Sequence, residues 1–290
     1  MNAMAHLQTL VNGIVLGALY ACLAVGFSLV WGVLNIINLL HGSFIVLGFY
    51  IAYFSYTLYD IHPFLSVITS GLVVGVIGYY TQLGIINRVV AGSVLVTLIL
   101  TFGLELMINN AMLVSFSADY RKVMLQNSLG VAQFGSVFVP LDRALSTAIA
   151  FLLIFLLWLL LRLTSVGRAI VAVRFDREAA LLMGIDVSRT YAITFALGAA
   201  LAAAAGSLLS VSFPIAPLSG PLFLSKAFVI CVLGGIGSVP GAAVGGLCFG
   251  LLESFGAVLF GSEYALTLAF IVLIVLLLVR PHGILGVKGY

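Results

Sequence analysis

The sequence predicts an all-α fold, a polytopic integral membrane helical bundle, and three observations lead there. Of its 290 residues 63% are hydrophobic and only 7% are charged, at a mean hydropathy of +1.29; a domain that lives in water carries about 25% charged residues. The apolar residues gather into nine runs, most of them near the roughly 20 residues with which a helix crosses the hydrocarbon core. The 31 glycines suit helices in close contact, and no ten-residue stretch alternates apolar and polar residues in the manner of a membrane β-barrel. The lipid bilayer is therefore the first partner. A soluble enzyme, a secreted disulfide scaffold and a nucleic-acid binder are excluded, the last because a net charge of +3 offers no basic surface. The spans leave no room for a globular domain, so residues 1–290 are read as a single transmembrane domain.

In chain order the runs are Leu10 to Trp31, Ile36 to Leu58, Phe64 to Ile86, Leu95 to Phe116, Leu145 to Leu161, Tyr191 to Phe213, Phe223 to Gly237, Ala242 to Phe260 and Leu266 to Val279. Met1 to Thr9 contains no Lys or Arg, so the basic region of a cleavable signal is missing and the first run is expected to persist as a helix. Eight or nine membrane segments follow, because the segments near Asn35 and Gly234 carry polar residues or clustered glycines that suit either a clean span or a re-entrant, broken helix. The stretches Asn35 to Tyr50 (NIINLLHGSFIVLGFY) and Gly234 to Glu253 (GGIGSVPGAAVGGLCFGLLE) are the two interrupted ones. Interruptions at corresponding places in two halves point to an inverted repeat with a path at the repeat interface; the competing reading is tight helix packing through small residues. Trp31, Tyr50, Tyr56 and Tyr59 are expected as anchors at the membrane interface. Cys22, Cys231 and Cys248 sit in apolar runs without ligand spacing and read as small buried residues.

Arginines set the orientation. Residues 162–189 hold Arg162, Arg168, Arg174, Arg177 and Arg189, and Arg88, Arg280 and Lys288 join them on the cytoplasmic side. Counting back three spans from Arg88 puts the N-terminus outside, with the C-terminus inside. Arg121, Lys122 and Arg143 then fall outside, against the rule, and the five-arginine loop decides. The loop of residues 164–189, TSVGRAIVAVRFDREAALLMGIDVSR, is the densest in charge. Asp176 is placed to cap a short helix, Glu178 sits in its first turn and Gly184 is placed to end it. Ala179, Leu182 and Met183 share one face, and so short a helix needs a partner groove, or failing that a lipid surface.

Ionisable groups within spans are costly and need a partner or a wet cavity. The candidates are His41, Glu105, Lys226 and Glu253. Asn35, Asn38, His41, Gly42 and Ser43 offer donors, acceptors and a flexible backbone, as either the lining of a translocation path or a network that ties a broken helix together. Glu105 and Glu253, with Gly234, Gly235 and Gly237, complete the candidate path; either glutamate is placed to pair with Lys226 or to cap freed backbone groups. No cluster of nucleophile, base and orienter is visible, and no Gly-rich phosphate loop with its Lys. The chain is therefore expected to hold no cofactor and to be no enzyme.

The run Glu178 to Gly184, EAALLMG, resembles the Glu-Ala-Ala loop with which permeases of ABC importers dock into their ATP-binding subunits. Together with Gly17 to Tyr50, Gly167 to Val187, Leu233 to Glu253 and Arg280 to Gly286 (RPHGILG), it resembles the permease family of the high-affinity branched-chain amino acid (leucine, isoleucine, valine) systems, from end to end and in the family's order. The Leu-Pro that often closes the loop in other importer classes is absent, the chain continuing Ile185, Asp186, Val187. The resemblance implies a multi-pass permease of the bacterial inner membrane. It implies as partners a second homologous permease chain in a heterodimer, two ATP-binding subunits that hold ATP and Mg, and a periplasmic amino-acid-binding protein. It assigns coupling to Arg177, Glu178, Ala179, Ala180, Leu182, Met183, Gly184 and Asp186. An ion-coupled secondary transporter, or a channel for urea or short amides, is the alternative that the composition alone leaves open.

Overall fold

The computed structural model describes residues 3–90, 92–126, 128–135, 137–280 and 283–286; Lys288, and Pro281 and His282 of the RPHGILG motif, lie outside them. Eleven α-helices are described: α1 Ala3–Leu34, α2 Leu40–Tyr59, α3 Pro63–Gly84, α4 Val94–Phe116, α5 Leu141–Leu163, α6 Ser165–Phe175, α7 Arg177–Leu182, α8 Val187–Ser212, α9 Gly220–Gly234, α10 Val239–Phe260 and α11 Ser262–Val279. Eight helical segments are long and apolar enough to cross a membrane. The eighteen-residue α11 crosses the bundle as well: it leaves the end of α10 beside the start of α1, and the chain beyond it returns to α9 at the opposite end, where Ile284 N donates to Leu233 O at 2.9 Å.

One departure from an all-helical chain lies in the connection before α5. Val131–Phe134 (β1) and Val137–Pro140 (β2) form an antiparallel hairpin that turns at Gly135, φ 62°. Gln8 of α1 holds it in both directions, accepting from Phe138 N at 2.9 Å and donating to Phe138 O at 3.0 Å. The hairpin marks one end of the bundle, and α6 and α7 mark the other.

Two long helices make the centre. Within their apolar windows α1 is 83% and α8 78% buried, against 17% for α5, so α5 faces lipid or another chain. The chain is an inverted repeat: α1 runs away from the hairpin end and α8 towards it, α1 packs along α10 as α8 packs along α3, and α2 packs on α3 as α9 packs on α10. The halves α1–α4 and α8–α11 meet at paired glycines. A Cβ on Gly26 would lie 2.9 Å from the Gly198 carbonyl oxygen, and one on Gly220 3.2 Å from the Gly42 carbonyl carbon. In lipid, where apolar side chains gain nothing by leaving their surroundings, such close backbone approach is what associates helices.

Each half breaks after its first helix. The expected break near Asn35 is there: residues 35–38 are non-helical, Asn35 has φ 54°, and α2 begins beside Leu23, eleven residues and about 16 Å short of the end of α1. The segment avoids orphaned backbone groups by bonding to α4, whose Thr101 hydroxyl accepts from Leu39 N at 3.5 Å and reaches Ile37 O at 3.3 Å. The break that answers it is 213–219, where Ile215 pairs in both directions with Arg121, and not the Gly234 to Glu253 stretch taken as its counterpart from sequence. The glycine turn at 235–238 connects α9 to α10, so it corresponds to the α2–α3 turn at Asp60, which is also left-handed (φ 55°).

The glycine contacts are testable. An added Cβ at Gly48 would collide with the Ala203 backbone, whereas one at Gly103 meets nothing within 4 Å. Gly48→Val is expected to lower the stability of the detergent-solubilised chain by about 1–3 kcal/mol, while Gly103→Ala leaves it unchanged or raises it by up to about 1 kcal/mol. Equal melting temperatures for the two variants would contradict this packing.

Candidate functional sites: the projecting loop and the polar interior

The loop at the α6–α7 end is built by local chemistry. Thr164 caps α6, its hydroxyl accepting from Gly167 N at 2.9 Å. Asp176 ends α6 and caps α7, its Oδ1 accepting from Glu178 N at 2.9 Å and Ala179 N at 3.0 Å. Gly184, at φ 80°, lets Gly184 N and Ile185 N bond back to Leu181 O and Ala180 O, a closure that a left-handed residue makes possible. Asp186 then caps α8, accepting from Arg189 N at 3.0 Å and pairing with its guanidinium at 3.2 Å. α7 is thus a single turn held rigidly between two longer helices.

Of the eight residues expected to couple, only Ala180 is buried, and it anchors the turn to the bundle. Arg177 lies over the Tyr191 ring at 6.0 Å. Leu182 and Met183, joined by Phe175, stand 88%, 82% and 84% exposed. Three large apolar side chains, Phe175 at the end of α6 and Leu182 and Met183 at the end of α7, beside several arginines form a surface that a folded chain does not leave bare without a partner.

The candidate path residues fall into three places. Around the break, Asn35 is exposed while Asn38 and His41 are buried, each with one unpaired atom, Asn38 Oδ1 and His41 Nδ1. His41 Nε2 donates to Leu23 O at 3.0 Å, which makes Nδ1 the bare acceptor. Ser43 donates to Asn109 Oδ1 at 2.8 Å, and Asn109 Nδ2 donates to Glu105 Oε1 at 3.5 Å, so Glu105 joins this place through a residue the sequence did not single out. Gly234, Gly235 and Gly237 lie at the other place, the α6–α7 end, where Gly237 approaches Gly32 within 2.8 Å of an added Cβ.

Glu253 stands apart from both. Its carboxylate accepts from Lys226 Nζ at 2.8 and 3.0 Å and from the Tyr20 hydroxyl at 3.2 Å, and Lys226 also donates to that hydroxyl at 2.6 Å. The pair side chains are only 10% and 19% exposed. Lys226 thus selects Glu253 rather than Glu105, and Tyr20, unmarked in the sequence, completes a knot that joins α1, α9 and α10. Tyr50 corrects another expectation: it is 1% exposed, stacked on Phe116 at 4.8 Å, and no interface anchor, whereas Tyr59 is 75% exposed. The cause is register, since Tyr50 lies at the middle of α2.

Inverted halves, broken helices and long apolar spans define the class: a multi-pass helical membrane protein with the architecture of transporters. Within that class, the chain belongs to the family described as branched-chain amino acid transport system, permease component, whose model matches residues 9–278. It is 36% identical to the high-affinity branched-chain amino acid transport system permease protein BraD of Pseudomonas aeruginosa, over 97% of this chain and 96% of that one. It is 33% identical to the similarly named LivH of Escherichia coli, over 97% and 95%. It is 32% identical to a probable branched-chain amino acid transport permease protein LivH of Methanocaldococcus jannaschii, over 95% and 91%. No solved structure matches it.

The buried pair predicts a mutant pattern. Lys226→Met leaves the Glu253 carboxylate uncompensated in the bundle and is expected to destabilise the solubilised chain by about 3–5 kcal/mol. The double variant Lys226→Met/Glu253→Gln should recover most of that loss in a thermal melt. A double variant as unstable as the single one would show that the pair is not what holds the knot.

Proposed function

We propose that this chain is the permease subunit of a binding-protein-dependent ABC importer that moves branched-chain amino acids across the bacterial inner membrane. Family membership and relatives named as branched-chain amino acid permeases over nearly their full length support the substrate class. ATP and Mg are held, and ATP is hydrolysed, on two separate subunits. A second, homologous permease forms a heterodimer with this one, and a periplasmic protein delivers the amino acid. The arginines of residues 162–189 put the α6–α7 end in the cytoplasm and the hairpin end and N-terminus outside, with the C-terminus inside. Asn35, Asn38, His41, Gly42, Ser43, Glu105, Gly234, Gly235, Gly237 and Glu253 serve the path and its supports, consistent with the unpaired polar atoms at Asn38 and His41.

The observation that carries the coupling role is the exposure of Leu182 and Met183, with Phe175 just before them at the end of α6, on and beside a turn that Asp176 and Gly184 fix. These side chains fill a cleft of the ATP-binding subunit. Arg177, Glu178, Ala179, Ala180, Leu182, Met183, Gly184 and Asp186 form or hold the docking turn, and closure of the ATP-binding subunits moves α6 and α8 with it. A difference in contacts between the two states of the ATP-binding subunits is what biases the path.

Gly184→Trp strains a left-handed position, and Glu178→Lys reverses the charge in the first turn of α7. Each is expected to lower leucine uptake in reconstituted vesicles more than tenfold while ATP hydrolysis by the assembled importer continues. Uptake at the wild-type rate in both variants would rule out docking through this turn.

A further inference from the structure

Arg121, one of the basic residues that fall outside against the arginine rule, stands beside an apolar groove. The groove, about 250 Å³, follows one face of α2 and ends on the last residue of α4: Leu47, Tyr50, Ile51 and Phe54, spaced three and four apart, meet Phe116. The Phe116 ring lies 4.8 Å from that of Tyr50 and 4.9 Å from that of Phe54. Leu47, Ile51, Phe54 and Phe116 are only partly buried although α2 and α4 are both long apolar spans, so the groove opens sideways to the bilayer. From Phe54 to Leu47 it reaches about 10 Å along the helix axis, within the roughly 15 Å of hydrocarbon in one leaflet.

The Arg121 guanidinium is fixed at this groove without being neutralised. Its Nη2 donates to Phe116 O at 2.8 Å, and its Cζ lies 5.5 Å from the centre of the Phe54 ring and 5.4 Å from that of Tyr53, so two residues of the groove hold it in place. A guanidinium carries five N–H groups, and the Phe116 carbonyl is the one side-chain hydrogen-bond acceptor described for it. Among the described residues it makes no ion pair, the described pairs being Arg189 with Asp186 and Lys226 with Glu253. The neighbouring charges do not answer it: Asp119 is exposed and takes the Ser117 hydroxyl on Oδ2 at 2.7 Å, while Lys122 lines a separate cavity with Asp142. A half-buried cation with free N–H groups suits a phosphate, which it can bind through two parallel hydrogen bonds. Inorganic phosphate leaves the groove empty, and a plain hydrocarbon leaves Arg121 without an anion. A molecule with a phosphate at one end and an alkyl chain at the other answers both.

We propose that a glycerophospholipid occupies this groove as a structural lipid, its phosphate on Arg121 and one acyl chain along Leu47, Ile51 and Phe54 against Phe116. The backbone of Arg121 gives the site its use. Arg121 N donates to Ile215 O at 3.1 Å and Ile215 N to Arg121 O at 2.9 Å, which satisfies the second break, 213–219. A phosphate that fastens Arg121 therefore fastens that break, while the acyl chain fills the gap between α2 and the end of α4. The site needs neither the substrate nor the docking turn. The orientation given above makes the leaflet the outer one, and the lipid then accounts for a basic residue kept on that side against the arginine rule.

The assembled importer in dodecyl maltoside, stripped of lipid and given phosphatidylglycerol with a photoreactive diazirine in one acyl chain, tests the site. Saturable labelling of residues 47–54 is expected. Unlabelled phosphatidylglycerol should displace it, diacylglycerol, which keeps the chains and lacks the phosphate, at least tenfold more weakly, and inorganic phosphate not at all. Arg121→Gln should weaken the labelling at least tenfold and Arg121→Lys should keep part of it, whereas Ile51→Trp, which fills the groove, should remove it while the importer still elutes as an intact assembly. Diacylglycerol that competes as well as phosphatidylglycerol on the wild-type importer overturns the phosphate contact, even if the Arg121 variants do not fold. Labelling of residues 47–54 that is absent or does not saturate, or a photo-crosslinker placed at Ile51 that captures the second permease instead of lipid, overturns the site.

Discussion

Close backbone contact between helices is the constraint on which the rest of this structure depends. A bilayer gives apolar side chains no reason to leave lipid, so α1, α2, α8 and α9 are held where glycine lets main chains touch, at Gly26 against Gly198, Gly42 against Gly220 and Gly48 against Ala203. The bundle is therefore stiff at its centre. The two irregular segments, 35–38 and 213–219, survive there only because α4 and the strand-like stretch at Arg121 satisfy their backbone groups. A residue such as His41 is placed by that arrangement: the break starts α2 deep in the bundle and brings the imidazole to the Leu23 carbonyl.

A stiff centre joins two ends of different character. One end carries a capped turn that exposes Leu182 and Met183 among arginines; the other carries a hairpin tied down by Gln8 over a partly charged cavity. α8 runs the whole distance, from its Asp186 cap beside the turn to Ser212 in the cavity wall. The knot of Tyr20, Lys226 and Glu253 holds α1, α9 and α10 together, and Glu253 also lines the cavity at the hairpin end.

The sequence disclosed whatever short-range chemistry controls. Asp176, Glu178 and Gly184 act over three or four residues, and the turn they define lies where the spacing predicts it. The membrane spans were legible for the same reason, since each is a continuous run. Choices between distant partners were not: nothing in one sequence says that Lys226 meets Glu253 and leaves Glu105 to Asn109, because that depends on which helices are neighbours. Tyr20 gave no signal, being one aromatic in an apolar run. The hairpin had one, the β-branched and aromatic run Val137, Phe138, Val139 after Gly135, but it lies in a connection read only for charge. The counterpart of the first break was visible in Pro214, Pro217 and Pro221, yet the glycines after Gly234 were the louder signal.

The central claim is that a chain without a phosphate-binding loop of its own is driven through its projecting turn by ATP hydrolysed elsewhere. Uptake of labelled leucine into proteoliposomes holding the complete assembly and its binding protein tests it most directly. The account predicts uptake that requires ATP on the side of the α6–α7 turn and is indifferent to ionophores that collapse proton and sodium gradients. Uptake that persists without ATP and vanishes with the ion gradient would contradict it.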